Sequence, residues 1–442
     1  MKISELISVT NAKIIGDYSE DIDVQISTDT RTIKKGDFYL PLKGASFDGE
    51  KFIDQALERG AVGTFTSINS MSNGGNWSGN LPQKLNNKIL LQVSDTLTAY
   101  LQLANYRRNK LDVQVVAITG SSGKTTTKEI VSSTLESKYK VFKTPLNHNN
   151  EIGLCQTIFE MPDDTEILVL EMGMRGLGEI ELLSKYAEPD ITIISNVGTA
   201  HIGRLGSCEN IAKAKCEIVK YQRGKTFIAY DDELIKKNVE FDGEKIFYSI
   251  NDVNILEKDV NYSKFEYQGN IYELNVGGDF NIENALSAIN TGIKLGLTIK
   301  QIQEGLKQYK PIEKRWEAVI SGGYEIINDS YNANPESMRA FIDTIFELYS
   351  NYVIILGDMG ELGENEVQFH RELGEYIYKK NQTANIITIG NLSKNISFAC
   401  NGKHFDSIEN ATLYIKTFPK NMKLFLKASR SMKFEKIIDL LR

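Results

Sequence analysis

At 442 residues the chain is too long for one ordinary core, so two or three domains are expected; 25% charged and 41% hydrophobic content is ordinary for a globular protein. A net charge of −7, from 51 basic and 58 acidic residues with no basic run, argues against a nucleic-acid partner. No apolar run reaches the roughly 18 residues of a membrane span, and Met1-Lys-Ile-Ser-Glu-Leu-Ile7 lacks the apolar core of a signal peptide. Cys155, Cys208, Cys216 and Cys400 lack paired metal-ligand spacing and read as free thiols in a reducing, cytoplasmic setting.

In chain order, the first hundred residues alternate short β-like runs with turns, as in Lys13-Ile-Ile-Gly16 and Asp37-Phe-Tyr-Leu-Pro-Leu42, followed by a helical pattern over Glu50–Arg59. Residues 67–80 are polar and glycine-rich and read as a surface insertion. Thr96–Lys110 is a predicted helix, and a domain boundary is placed near it. From about residue 111, apolar runs suited to buried parallel strands alternate with helices, as at Ile167-Leu-Val-Leu170 and Ile191-Thr-Ile-Ile194. Residues 240–276, with Lys245-Ile-Phe-Tyr-Ser and Tyr272-Glu-Leu-Asn-Val, read as an antiparallel extension of that sheet, and Asn281–Leu295 as a helix. After Pro311 a second alternation begins, with apolar runs at Tyr324-Glu-Ile-Ile-Asn-Asp, Tyr352-Val-Ile-Ile-Leu-Gly-Asp and Asn385-Ile-Ile-Thr-Ile-Gly.

The chemistry concentrates in four places. Val113-Gln-Val-Val-Ala-Ile-Thr-Gly-Ser-Ser-Gly-Lys-Thr-Thr-Thr-Lys128 is laid out as strand, glycine turn, lysine, hydroxyls and helix, the pattern of a phosphate-binding loop, and predicts ATP. The usual spacing needs glycine at 118, where Ile118 stands, so the loop starts at Gly120 and is short. Glu171 closes an apolar run and is placed to hold magnesium beside such a loop. Asn196-Val-Gly-Thr-Ala-His201 also follows a strand; His201, one of four histidines, is either a metal ligand or a structural histidine. Asn210-Ile-Ala-Lys-Ala-Lys-Cys-Glu-Ile-Val219 reads as a helix, and composition does not say whether Lys213, Lys215 or Glu217 turns inward.

Thr119-Gly-Ser-Ser-Gly-Lys-Thr-Thr-Thr-Lys-Glu129 resembles the short ATP loop of the Mur ligases, and Asn147-His-Asn-Asn-Glu-Ile-Gly153 is similar to their asparagine-rich substrate segment. Glu171-Met-Gly, Asn196-Val-Gly-Thr-Ala-His201 and Ala212-Lys-Ala-Lys-Cys-Glu217 follow in the family's order. Asn328-Asp-Ser-Tyr-Asn-Ala-Asn-Pro335, Gly357-Asp-Met-Gly-Glu-Leu-Gly363 and Lys427-Ala-Ser-Arg-Ser-Met432, with Ser27-Thr-Asp-Thr-Arg31 and Asp48-Gly-Glu-Lys-Phe52, resemble the branch of the family whose amine substrate is a dipeptide.

The resemblance implies three α/β domains: a small UDP-sugar domain over 1–107, a central mostly parallel P-loop ATPase domain over 108–312, and a Rossmann-like domain over 313–442. It implies a monomeric ligase that joins D-alanyl-D-alanine to UDP-N-acetylmuramoyl-tripeptide through an acyl phosphate, using ATP and two Mg2+ ions. Carried over residue by residue, Gly120, Ser121, Ser122, Gly123, Lys124, Thr125 and Thr126 bind ATP, together with Asn284, Arg315 and Asp329. Thr125, Glu171, His201 and a carbamylated Lys215 hold the metals; Lys124, Glu171, His201 and Lys215 form the catalytic set. Thr28, Asp29, Arg31, Asp48 and Gly49 face the UDP-sugar. Asn147, Asn149 and Asn150 face the muramoyl-peptide arm, and Asn332 and Asn334 the incoming dipeptide or nucleotide. The chain departs from the family at Phe280 (commonly histidine) and at Leu146, Lys314 and Ala428 (commonly glycine). Two other readings predict different behaviour: a sister ligase or folylpolyglutamate synthase-type enzyme adds a single amino acid, and an ATP-binding scaffold releases no phosphate.

Overall fold

The apolar runs become strands of four sheets among the described residues. The computed structural model describes residues 1–15, 21–44, 47–67, 88–145 and 147–442; the 67–80 insertion beyond Ser67, Gly16 and Leu146 lie outside them. By its internal contacts the chain forms one unit from 1–113 with 144–163, and a second from 114–143 with 164–442.

The first unit holds β1 (Lys13–Ile15), β2 (Ile26–Ser27), β3 (Phe38–Tyr39), β4 (Gly63–Ser67) and β5 (Ile89–Val93) in the order β1-β5-β4-β3-β2. Only β1 runs antiparallel. The predicted helix Thr96–Lys110 is present; the Asp95 carboxylate accepts the Thr98 N–H at 2.7 Å at its start, and Arg107, Arg108 and Lys110 sit at its negative end. Arg107 donates to the carbonyls of Ile158 (3.1 Å) and Met161 (2.8 Å), and Tyr100 stacks on Phe159. These contacts hold the helix Glu151–Glu160 within this unit, although it lies far on in the chain.

In the second unit, β6 (Gln114–Thr119), β7 (Val141–Lys143), β8 (Ile167–Glu171), β9 (Ile191–Ile194), β10 (Thr226–Tyr230) and β11 (Glu244–Tyr248) form a wholly parallel sheet in the order β11-β10-β9-β6-β8-β7. Strands β8 and β9 are buried at every position, as expected where helices cover both faces. The chain runs from β6 to one side of the sheet and returns to β9 on the other. The carboxyl ends of β6, β8 and β9 therefore flank the topological switch point where such sheets bind ligands.

Residues 240–276 do not form the expected antiparallel extension of the central sheet. Lys245–Tyr248 lies in β11, parallel to β10, and the short helix Glu233–Asn238 supplies the crossover that a parallel neighbour requires. The Tyr272 run belongs to a separate antiparallel sheet of β12 (Asn254–Asp259), β13 (Tyr262–Tyr267) and β14 (Asn270–Leu274). Strand β13 alternates between partly and fully buried positions, the pattern of a sheet with one face on the core.

Beyond it lie β15 (Glu317–Ser321), β16 (Tyr324–Asp329), β17 (Tyr352–Gly357), β18 (Ile386–Ile389), β19 (Lys403–Phe405) and β20 (Lys423–Lys427), ordered β15-β16-β20-β17-β18-β19. Only β15 is antiparallel. The expected three-domain α/β architecture is thus present, with the central and C-terminal domains in one unit. Trp316 joins those two: its ring meets Phe280 (5.2 Å) and Phe341 (5.5 Å) edge-on, and its Nε1–H donates to the Val260 carbonyl at 2.9 Å.

Candidate active site

Strand β6 ends at Thr119 and the helix Lys124–Leu135 begins after only four intervening residues, so the loop between them is tight. Gly123 takes φ +76, and a Cβ on Gly120 would stand 1.9 Å from Ser195 Oγ. Ser195 donates instead to the Ser122 carbonyl at 2.7 Å. The Asn196 side chain accepts the N–H groups of Ser121 (3.1 Å) and Ser122 (2.8 Å) and donates to the Ser122 carbonyl at 3.1 Å. The residues that follow β9 thus brace the loop from below.

The first N–H groups of a helix have no partner within it, and here those of Lys124–Thr126 open beside the loop. Lys124 folds back to donate to the Gly120 carbonyl at 2.7 Å. Burial holds its ammonium below the usual lysine range; Glu171 and Glu361 oppose that fall, and Arg315 adds to it. Thr125 donates to Glu171 Oε2 at 2.8 Å, and Thr127 to Asn284 Oδ1 at 2.9 Å. The structure therefore brings Lys124, Thr125, Glu171 and Asn284 together around one loop.

The helix Cys208–Cys216 settles which charges turn inward. Lys213 is exposed, Lys215 is 1% exposed, and Glu217 is buried just past the helix end. Burial drives the Lys215 amine well below its ordinary pKa, and nearby Lys124 pushes the same way. The Glu217 carboxylate accepts the N–H of Gly178 (2.8 and 3.0 Å) and of Glu181 (3.2 Å), capping the helix Glu179–Ala187. His201 takes φ +67, and its Nδ1 lies 2.8 Å from Glu361 Oε2, outside aligned hydrogen-bond geometry. Among the described residues no cluster of three or more His, Cys, Asp or Glu side chains is poised to hold a metal.

The C-terminal domain reaches this loop directly. Asn334 caps the helix Pro335–Leu348 through the Ser337 N–H and donates its Nδ2 to Ser122 Oγ at 2.8 Å. Glu336 accepts from the N–H and hydroxyl of Thr199, both at 3.0 Å. Arg315 lies over the Tyr331 ring at 3.9 Å with its buried Nε unpaired. Lys427 pairs with Asp329 at 2.5 Å and reaches the Asn332 carbonyl at 3.3 Å. Asn332 itself accepts the Ala333 N–H at 2.9 Å. Lys314 adopts φ +62, a left-handed conformation in which glycine meets no steric cost; Phe280 packs on Trp316, and Ala428 is buried in the C-terminal core.

In the first unit, Thr28, Asp29 and Arg31 lie in the turn after β2, and Asp48 and Gly49 open the short 3-10 helix Gly49–Phe52 that follows β3. Arg31 forks onto Asp29 (2.7 to 3.1 Å) and holds its carboxyl below the usual range. Asp48 accepts the Glu50 N–H, and Tyr39 donates to the Gly49 carbonyl at 3.0 Å. Asn150 caps the helix Glu151–Glu160 through the Gly153 N–H, with Asn147 and Asn149 in the turn before it.

Sequence reading missed Ser195, Asn196, Glu336, Glu361 and the capping role of Glu217. Asn196 sat inside a recognised motif. Glu361 likewise lies inside the quoted Gly357–Gly363 motif, whereas Glu336 is an ordinary acidic residue until the fold brings distant segments together.

Fold and site define a phosphate-loop α/β protein whose Rossmann-like C-terminal domain is bonded to the loop. Family models match in three consecutive stretches: the Mur ligase family catalytic domain over 24–107, the Mur ligase middle domain over 118–292, and the Mur ligase glutamate ligase domain over 314–430. The chain belongs to the Mur ligase family. It is 35% identical to the UDP-N-acetylmuramoyl-tripeptide–D-alanyl-D-alanine ligase of Bacillus subtilis (strain 168) over 99% of this chain and 96% of that protein. The Haemophilus influenzae ligase of the same name is 31% identical over 98% and 96%. Among solved structures, MurF from Acinetobacter baumannii matches with a TM-score of 0.87 and 27% identity over 99% and 98% of the two chains. MurF ligase from Thermotoga maritima in complex with ADP matches with a TM-score of 0.80 and 28% identity over 94% and 96%.

Proposed function

We propose that the chain is an ATP-dependent ligase that joins D-alanyl-D-alanine to UDP-N-acetylmuramoyl-tripeptide, giving the UDP-muramoyl-pentapeptide of peptidoglycan synthesis. Its full-length relatives carry that activity in their names. The observation that carries the reading is the braced loop Gly120–Thr125, with Lys124 folded over it and Thr125 bonded to Glu171.

A peptide carboxylate is a poor acyl donor because its leaving group is oxide. A carboxylate oxygen attacks the γ-phosphorus of ATP and ADP departs, leaving an acyl phosphate. The dipeptide amine then attacks the acyl carbon, loses a proton, and expels phosphate as the amide forms. Lys124 and the first-turn N–H groups face the negative charge spread over the transferring phosphoryl group. Asn284 holds the loop through Thr127, and the unpaired Nε of Arg315 is a buried donor awaiting a nucleotide oxygen. Asp329, held by Lys427, lies on the same side. Thr28, Asp29, Arg31, Asp48 and Gly49 serve the UDP-sugar, while Asn147 and Asn149 serve the muramoyl-peptide arm. Asn150, Asn332 and Asn334 shape the backbone that presents those groups.

Buried hydroxyl and carboxylate oxygens at Thr125 and Glu171 suit a hard cation, and His201 with Lys215 would complete a second position. Bound there, magnesium supplies positive charge against the phosphate oxygens. Lys215 fits carbamylation because burial lowers its amine pKa, which favours the nucleophilic form, and a carbamate would place an oxygen donor where the amine now stands.

Phosphate release measured with UDP-N-acetylmuramoyl-tripeptides ending in meso-diaminopimelate or L-lysine, plus D-alanyl-D-alanine, tests the reading. Phosphate and pentapeptide are expected in equal amounts. Release with free amino acids but not the dipeptide, or ATP binding with no substrate-dependent release, overturns it.

A further inference from the structure

The Gly357-Asp-Met-Gly-Glu-Leu-Gly363 segment leaves β17 in the C-terminal domain and meets the turn that carries His201 in the central domain. The approach is backbone to backbone: a Cβ on Gly203 would stand 2.7 Å from the Cα and N of Gly363. On either side of that contact stand two non-glycine residues in the left-handed region, His201 at φ +67 and Glu361 at φ +61. Such backbone persists only where its surroundings hold it, and it gathers at functional sites. Core packing does not account for Glu361, whose side chain is 62% exposed and whose one ion pair among the described residues is with His201 Nδ1 at 2.8 Å.

We propose that Glu361 is a positioning residue for His201: its carboxylate, in ion-pair contact with Nδ1 at 2.8 Å, biases the orientation of the imidazole and leaves the other ring nitrogen to a cation, so the C-terminal domain helps to build the metal site by docking. Carboxylates that back a ligating histidine in this way fix its tautomer and raise its basicity. The inference rests on the ligase reading, in which His201 faces a metal ion. Glu361 contributes no ligand of its own; it makes metal affinity depend on the docked state of a loop about 160 residues further along the chain.

The test uses the full chain, Mn2+ as the probe, and β,γ-methylene-ATP, with metal binding followed by electron paramagnetic resonance. Glu361→Gln keeps the side chain's size and removes its charge. Mn2+ affinity in the nucleotide complex is expected to fall about tenfold or more, while metal-free nucleotide affinity and thermal unfolding stay within twofold and within a degree or so of the parent. His201→Ala should also weaken Mn2+, and the double variant should be no weaker than His201→Ala alone, because Glu361 acts through the ring. Unchanged Mn2+ affinity in Glu361→Gln, or additive losses in the double variant, overturns the positioning role. If the parent protein ligates while Glu361→Gln binds Mn2+ normally, only this role fails. If the parent shows no substrate-dependent phosphate release, the ligase reading fails first.

Discussion

Glu283 neighbours Asn284 on the helix Asp279–Lys294, and its titration offers a measurable handle on the architecture behind the phosphate loop. Burial pushes its carboxyl up from an ordinary 4.5 to about 7; Asp279 adds to the rise and a hydrogen bond to Tyr230 opposes it. The native state therefore keeps a proton that the unfolded chain releases near pH 4.5. Its stabilising contribution is fully present below that pH and is lost as pH rises through about 7. The gap between the two values corresponds to about 3 kcal/mol. Glu283→Gln keeps the shape and a neutral amide, so the variant should match the parent closely near pH 4.5 and exceed its stability by about 2–3 kcal/mol at pH 8. Urea unfolding followed by tryptophan fluorescence at a series of pH values gives the difference between the two proteins, which cancels groups that titrate in both. If the two stability profiles run parallel from pH 4.5 to 8, Glu283 ionises normally and the reasoning is wrong.

Two further substitutions probe the loop and its neighbour. Gly120→Ala drives a methyl into Ser195 Oγ, so affinity for an ATP analogue should fall at least about tenfold with about 1–3 kcal/mol of stability lost; Ser195→Gly in the same chain should recover part of both, and an unaltered nucleotide titration of Gly120→Ala would contradict the packing argument. Lys215→Ala should abolish ligation, with short carboxylic acids at millimolar concentration restoring part of it if the lysine acts as a carbamate; full activity without any additive removes Lys215 from the mechanism.

The strand-and-loop order of the central domain was legible because the parallel strands are apolar on both faces and their carboxyl ends carry the polar residues. Ile167–Leu170 and Ile191–Ile194 could scarcely be anything but buried strands, and the residues after them fall where the switch point lies. The strand at Glu244–Tyr248 was misassigned because direction depends on the crossover, and the six-residue helix Glu233–Asn238 is too short to show a helical period clearly. Helix periodicity alone did not decide among Lys213, Lys215 and Glu217, since all three are charged and only burial in the folded chain distinguishes them. Contacts such as Asn334 to Ser122, 212 residues apart in the chain, leave no trace in local pattern.

The short loop also explains its own brace. With Ile118 buried in β6, glycine cannot enter until Gly120, and few residues remain to wrap a phosphate before the helix starts. The amides of Ser121 and Ser122 are already held by Asn196, which leaves the anion-facing work to the helix's own first turn. A loop arranged this way depends on the segment after β9 for its shape and on Asn284 for its position. The same β9 segment continues to Thr199 and His201, where Glu336 and Glu361 of the C-terminal domain attach. The brace of the phosphate loop, the turn at His201 and the attachment of the C-terminal domain are therefore mechanically joined through one stretch, Ser195–His201. A substitution there, such as Asn196→Ala, should weaken nucleotide binding and loosen the docked domain together rather than either alone.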